Sequence, residues 1–569
     1  MHRISLRVLS MGLTCLVLSA CGSGIGTRAV HRAPGVESLA SDPSAFWNSA
    51  TVYFLLTDRF FNGDPSNDLA LGRPQDGAVL RSYMGGDLEG VLVKLEEGWF
   101  DSLGVSAIWM TPFLEQIQGS VDEGTGRTYA FHGYWTKDWT AVEPALGTVD
   151  DLRALVDAAH ARGIRVILDA IINHTGPVTP LDPQWPDEWV RTGPRCAYDS
   201  YERTVPCTLV DNLPDIRTER SEPVELPPEL LAKWEREGRL ETEMAELDAW
   251  FDRTGYPRAP RYYLVKWLSD WVRELGFDGY RVDTARNFDE EAALDLKREG
   301  ESAFADWRRA NPEKVIDDLP FHMFGEVYGY DAESGREFDF GDRTVDYFDY
   351  GYDGLINFGL KNRDGRSTDQ LFGRYSALLN GGALEGVSIL SYISSHDDSA
   401  PWDPERESPF EAAVRLLLAP GGAQIYYGDE LSRPLSVGGA EGDANLRSFM
   451  NWEDLGRGGE TEAILAHWRK LARFRAMHPA VGAGEHVRLS GSPWIFSRTL
   501  KRSGSEDRVL IAVGLEPGRV TVPVFGVFSE GVELEDSYTG DRTIVSEGKV
   551  TLVTESGIVL LGRPGADVP

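Results

Sequence analysis

Residues 165–174 read Arg165-Val166-Ile167-Leu168-Asp169-Ala170-Ile171-Ile172-Asn173-His174, an apolar strand that runs out into polar groups. An amphipathic helical pattern at 149–162 precedes it, and the same couplet recurs along the chain. Strands are expected at 50–57, 105–111, 165–170, 279–283, 321–327, 388–395 and 423–427, with a weakly marked one near 350–357. Helical patterns fall between them at 88–103, 149–162, 261–275, 288–309, 369–379, 409–418 and 461–477. Eight strands alternating with helices over about 430 residues predict an α/β fold, the (β/α)8 TIM barrel. An open doubly wound sheet would want a Gly-rich first turn, and the sequence has none.

Two intervals break the rhythm. Residues 175–260 carry a turn-rich stretch at 196–215 and a charged helical run at 228–251, too much for a loop, and are expected to form an inserted subdomain after the third strand. Beyond residue 479 the helical period stops. Short alternating runs at 486–490, 494–500, 509–513, 520–524 and 549–561 predict an antiparallel β-sandwich over 480–569. The barrel then comprises 46–174 and 261–479.

The N-terminus reads as an export signal over 1–20. His2, Arg3 and Arg7 precede an apolar run at 8–18 that is too short to span a bilayer. Leu18-Ser19-Ala20-Cys21-Gly22 looks like a lipobox, so Cys21 is the expected site of acylation, followed by a flexible tether at 21–45. An ordinary secretory signal that contains a Cys is the alternative. The expected location is outside the cytoplasm, anchored by lipid on the periplasmic or cell-surface side. Setting aside Cys15 and Cys21 leaves Cys196 and Cys207. In an oxidising compartment these are expected to close one local disulfide, a contribution of about 2–3 kcal/mol.

The chain has 569 residues, 57 Lys+Arg against 90 Asp+Glu, and a formal net charge of −33. With 42% hydrophobic residues it buries a core and is no acidic tail, and its charge repels phosphate backbones, so no nucleic-acid partner is expected.

Catalytic groups of a barrel sit where strands end. Here the third strand leads to Asp169, Asn173 and His174, the fourth to Arg281 and Asp283, the fifth to Glu326, and the seventh to His396 and Asp397. Carboxylates at four strand ends, converging on one pocket, have their pKa values pushed apart, which suits two-carboxylate glycoside hydrolysis.

The ordered set Asp169-x-x-x-Asn173-His174, Arg281-x-Asp283, Gly325-Glu326 and His396-Asp397 closely resembles the α-amylase family of retaining glycoside hydrolases, family 13. Leu213-Pro214-Asp215-Ile216 and the segment 422–430 match as well, and 57–68 looks most like bacterial periplasmic members. The resemblance implies Asp283 as nucleophile, Glu326 as general acid and base, and Asp397 as the residue that favours the distorted sugar ring. It implies that Arg281 holds Asp283, that His174 and His396 donate to the sugar, and that Tyr134 stacks beneath it. Arg286 and Asn287 stand where many members carry Lys-His, so they are the candidate acceptor-side sugar ligands. A zinc site on His132, His174 and His396 is the alternative for those rings; they lack helical ligand spacing.

Two Ca²⁺ sites are implied. One takes Asn62, Asp64, Asn67 and Asp68 with Gly85 and Asp87; the alternative there is Asx-turn chemistry without metal. The other takes Asn173, Asp215 and the carbonyl of Asn287. The expected activity is that of an endo-acting α-amylase on α-1,4-glucans such as starch and maltodextrins, from a monomer. Its rivals are a cyclomaltodextrinase or glucanotransferase, ranked second because a single β-sandwich ends the chain, and an inactive glucan-binding lipoprotein.

Overall fold

The computed structural model describes residues 39, 41–363, 365–398, 400–502 and 504–565. The expected export signal, the Cys21 lipidation site and most of the tether lie outside the described residues. Eight parallel strands close a barrel: β1 (Thr51–Leu55), β2 (Ala107–Met110), β3 (Arg165–Ala170), β4 (Gly279–Val282), β5 (His322–Gly325), β6 (Gly354–Asn357), β7 (Ser388–Ser391) and β8 (Gly422–Tyr426). Strand order follows chain order, and β1 closes the ring by pairing Phe54 with both Trp109 of β2 and Tyr426 of β8. Every residue of β1, β2, β3 and β8 is buried, which is why these strands are mainly apolar.

Helices return the chain between strands. Pro260–Leu275 and Glu290–Ala310 flank β4, and the helix Val149–His160 before β3 starts in a capping box between Thr148 and Asp151. The bottom of the barrel is plugged by the helix Pro43–Ser49, whose Trp47 stacks on His322 at 4.2 Å. Arg475 gathers the carbonyls of Asn48, Leu417, Ala419 and Gly421 beneath it, and burial pulls its guanidinium down to about 9.

Three expected elements divide. The run at 88–103 becomes Leu88–Glu96 and Trp99–Ser102 because Gly98 adopts φ 77°. The charged run at 228–251 becomes Pro228–Arg236 and Leu240–Thr254. In the terminal module, 549–561 is two strands, Lys549–Thr554 and Ile558–Gly562, which enter different sheets. Two short strands there, Glu533–Asp536 and Arg542–Ile544, carry too little alternation to be read from sequence. A six-stranded antiparallel sheet packs against a two-stranded one over Leu510, Val522, Val550, Leu552, Val559 and Leu561.

The segment after β3 holds a small ladder, Val190–Arg191 with Asp215–Ile216, and a disulfide between Cys196 and Cys207 with Cα atoms 5.0 Å apart.

Candidate active site

Arg281 stands at the centre of the strand ends. The period of two along β4 puts it on the same face as Asp283, and register sets it beside Asp169 of β3. Its Nη1 donates to Asp169 Oδ1 and to Asp283 Oδ1, both at 2.8 Å, and its Nη2 lies 2.6 Å from Glu326 Oε1. One fully buried guanidinium therefore serves three carboxylates.

The three acids differ in what else they touch. Asp169 is fully engaged: its Oδ2 accepts from Trp109 Nε1 at 2.9 Å and from the Tyr134 hydroxyl at 2.8 Å. Burial lifts its carboxyl to about 6 against the pull of Arg281. It braces the site. Asp283 spends one oxygen on Arg281, while its Oδ2 is buried and makes no hydrogen bond. Glu326 Oε2 accepts the Thr284 N–H at 2.9 Å, and Thr284 is bent to φ 46° in the turn after β4. Burial pushes the Glu326 carboxyl well above the ordinary range; Arg281 opposes the shift, and the charges of Asp283 and Asp397 add to it.

Asp397 is the open member, with 39% of its side chain exposed, so the upward push of burial bears less on it than on Glu326. Beside it, His396 is fixed by Arg447, whose Nε donates to the His396 carbonyl at 2.8 Å while Nη1 pairs with Asp443 at 2.8 Å. His396 also lies flat against Tyr134, ring centres 5.1 Å apart. His174 turns Nε2 to the Tyr134 carbonyl at 3.1 Å, and His132 turns Nδ1 to the Tyr134 N–H at 3.1 Å, so both rings brace that residue's backbone. Burial drives His132, His174 and His396 below the usual imidazole range, which keeps them neutral.

Arg286 and Asn287 both make contacts within the protein. Asn287 is buried, and its Nδ2 donates to the Thr204 carbonyl in the disulfide loop at 3.0 Å. Arg286 lies against the rings of Tyr198 and Phe338. Trp109, Asp443 and Arg447 are site residues the sequence reading passed over. Trp109 lies inside an ordinary apolar strand, and the other two sit in the short 3-10 helix Gly442–Arg447 after β8 with no periodic signal.

Both oxygen-rich loops fit a hard cation. Asn62 Oδ1 and Asn67 Oδ1 are buried without a partner, and a side chain at Gly85 would collide with Asn62 and Asp68, so this cluster is a cradle of oxygens. Asp87 differs from its companions: it caps the helix Leu88–Glu96 and accepts the N–H groups of Gly63, Asp64 and Gly90, bracing the loop. In the second loop the Asn173 amide faces two acceptors, Asp215 Oδ1 at 3.2 Å and the Asn287 carbonyl at 2.9 Å. With its oxygen turned inward, three oxygens converge there. Among the described residues no three His, Cys, Asp or Glu side chains come together as a metal cluster.

Comparison with known proteins agrees with this geometry. The family described as Alpha amylase, catalytic domain, matches residues 54–219. The periplasmic alpha-amylase of Escherichia coli K12 is 37% identical over 514 residues, covering 80% of this chain and 71% of that protein. A cyclomaltodextrin glucanotransferase of Bacillus sp. strain 1011 is 36% identical over 80% of this chain and 58% of its own length. The crystal structure of an Anoxybacillus alpha-amylase superposes with a TM-score of 0.62 at 24% identity, covering 91% of this chain and 99% of the other, which speaks for the fold alone. With four carboxylates at the strand ends of a closed barrel and a relative of this similarity over most of both chains, the protein belongs to the α-amylase family of glycoside hydrolases and is an enzyme.

Proposed function

We propose that the enzyme hydrolyses α-1,4 bonds within starch-like glucans by double displacement, outside the cytoplasm. The observation that carries this reading is the asymmetry at Arg281: it orients Asp283 through one oxygen and leaves the other unbonded, while burial pushes the Glu326 carboxyl well above its ordinary range. In the first step Asp283 Oδ2 attacks the anomeric carbon as Glu326 gives its proton to the departing glycosidic oxygen. In the second, Glu326 takes a proton from water, water bonds to the anomeric carbon, and the Asp283 ester breaks. Asp397, open to the cleft, suits hydroxyl binding to the distorted ring.

The loops at Asn62–Asp68 and Asn173–Asp215–Asn287 would hold Ca²⁺, whose contribution is to tie loops to the barrel beside the site. Location outside the cytoplasm is supported by the N-terminal sequence and by the periplasmic relative, and a lipid at Cys21 by the Leu18–Gly22 run alone. A glucanotransferase activity is the second reading, favoured by the similarity to the Bacillus enzyme. Product profiles from maltoheptaose, amylose, pullulan and cyclodextrin separate the two. Linear shorter glucans support hydrolysis; cyclic or elongated products overturn it.

A further inference from the structure

Asp397, in the loop after β7, stands between two residues that are both held. Its own side chain is open to the cleft, and its Oδ1 lies 3.7 Å from His396 Nδ1, beyond hydrogen-bond range, so the chain that carries it sets its place. On one side Arg447 takes the His396 carbonyl. On the other stands a second carboxylate, Asp398, only 3% exposed. Asp398 is fully engaged. Lys361 Nζ lies 2.9 Å from its Oδ1 and 2.8 Å from its Oδ2. The Tyr392 hydroxyl donates to Oδ2 at 2.6 Å, and the Ala400 N–H donates to Oδ1 at 3.1 Å.

Lys361 comes from the loop after β6, and its backbone is gripped on both sides. Arg415, on the helix Pro409–Leu417 that leads into β8, donates from Nε to the Leu360 carbonyl at 2.9 Å and from Nη2 to the Asn362 carbonyl at 3.2 Å. The ammonium is thereby delivered to Asp398 from a fixed base. An exposed ion pair would count for little, but a buried carboxylate that loses its cation is strongly destabilised and driven toward water. Driven outward, Asp398 would carry the adjoining Asp397 with it. Charge works in the same direction. Burial lifts the Asp397 carboxyl, Arg281 and Arg447 draw it down, and Asp398 pushes it up, a push that the Lys361 ammonium offsets.

We propose that Lys361 is a positioning residue for Asp397: held by Arg415, it clamps the Asp398 carboxylate against Tyr392 and so fixes the backbone that presents Asp397 to the distorted sugar. The proposal rests on the α-glucan hydrolase reading, in which Asp397 binds that ring. Lys361 itself touches no substrate; it ties the loop after β6 to the loop after β7.

Lys361→Met keeps the stem and removes the charge. It lowers kcat on maltoheptaose about 10²-fold, the effect of displacing a working group by about 1 Å, and leaves KM within about threefold. The Kd of a maltose-linked iminosugar, whose flattened cationic ring imitates the transition state, rises in parallel, while that of maltotriose stays within about threefold. Lys361→Met/Asp398→Asn removes both charges and leaves the amide on Tyr392 and Ala400, so kcat recovers at least about tenfold over Lys361→Met. Where Lys361→Met does not fold, the double variant is compared with Asp398→Asn alone, and the two agree within about threefold. An unchanged kcat in Lys361→Met, additive losses in the double variant, or equal rises in both Kd values would overturn the proposal. If the unaltered enzyme leaves maltoheptaose uncut, the hydrolase reading fails and the proposal with it; an active native enzyme indifferent to Lys361→Met overturns the proposal alone.

Discussion

Glu326→Gln separates proton donation from the other work of the site. The amide keeps an oxygen for the Thr284 N–H, bonded at 2.9 Å, but sets an NH2 group or a neutral oxygen against Arg281 Nη2 in place of the ion pair at 2.6 Å. Arg281 still holds Asp169 and Asp283, so the nucleophile stays oriented. The folding cost is that of one weakened buried contact to a charge, about 1–3 kcal/mol. The catalytic cost is larger. Loss of a placed general acid slows the first step about 10²- to 10⁴-fold, or ~3–5 kcal/mol of barrier. Because burial raises the Glu326 carboxyl, the working protonated form persists above the ordinary carboxylate range and is lost as pH rises through its shifted value. The pH profile of kcat/KM on maltoheptaose therefore falls on its alkaline side in the native enzyme, and that limb disappears in the variant. An α-maltosyl fluoride, whose leaving group needs no proton, recovers most of the first-step rate, read as a burst of fluoride release. If Glu326→Gln stays within tenfold of the native rate on maltoheptaose, or loses equally on the fluoride, Glu326 is not the acid.

Stability carries a separate pH signature. Glu430 is buried, accepts from the Tyr53 hydroxyl at 2.6 Å, and is raised to about 7, chiefly by desolvation. A carboxyl with a raised folded value stabilises fully below its unfolded value near 4.5 and loses that contribution as pH climbs through 7, roughly 3 kcal/mol in all. Glu430→Gln keeps the acceptor for Tyr53, so the melting temperature should decline less between pH 5 and 8; an identical decline refutes the assignment. Removal of Ca²⁺ with EDTA should lower the melting temperature, by an amount equivalent to ~3 kcal/mol at calcium a hundredfold above Kd. Asp215→Asn should shrink the shift, and an unchanged temperature after verified metal removal refutes the sites. Cys21→Ala should move the protein from the membrane fraction to the soluble one; equal membrane retention refutes the lipid anchor.

The barrel was legible because buried parallel strands carry a strong signal: 165–170 was placed to the residue, and even the weak strand near 350–357 is β6, starting at Gly354. Breaks were less legible. The run at 88–103 keeps its apolar spacing across Gly98, and only a positive φ, which spacing does not encode, ends the helix there. Among the acids, sequence marked Asp283, Glu326 and Asp397 through motif order and gave no sign that Asp169 would take the third share of Arg281. Arg286 shows the limit most clearly. The aromatic rings beside it come from residues 88 positions upstream and 52 downstream, contacts that only the tertiary fold creates.

The charge excess of the chain takes on a different meaning at the strand ends. Asp169, Asp283 and Glu326 share one guanidinium, so full ionisation would leave the buried cluster with an uncompensated double negative charge. The cheapest relief is to keep a proton on one of the three, and burial together with the charges of Asp283 and Asp397 favours Glu326 for it. Asp169 takes three hydrogen bonds, from Arg281, Trp109 and Tyr134, which favour its charged form. Asp283 has the well-directed bond from Nη1. Glu326 has the Thr284 N–H and the contact with Nη2, yet burial holds its carboxyl well above the ordinary range. The division of labour between acid and nucleophile thus follows from burying three carboxylates around one cation, with burial weighing most on Glu326. Arg447, bound to the His396 carbonyl and Asp443, acts instead on Asp397, whose carboxyl its charge draws down against the push of burial.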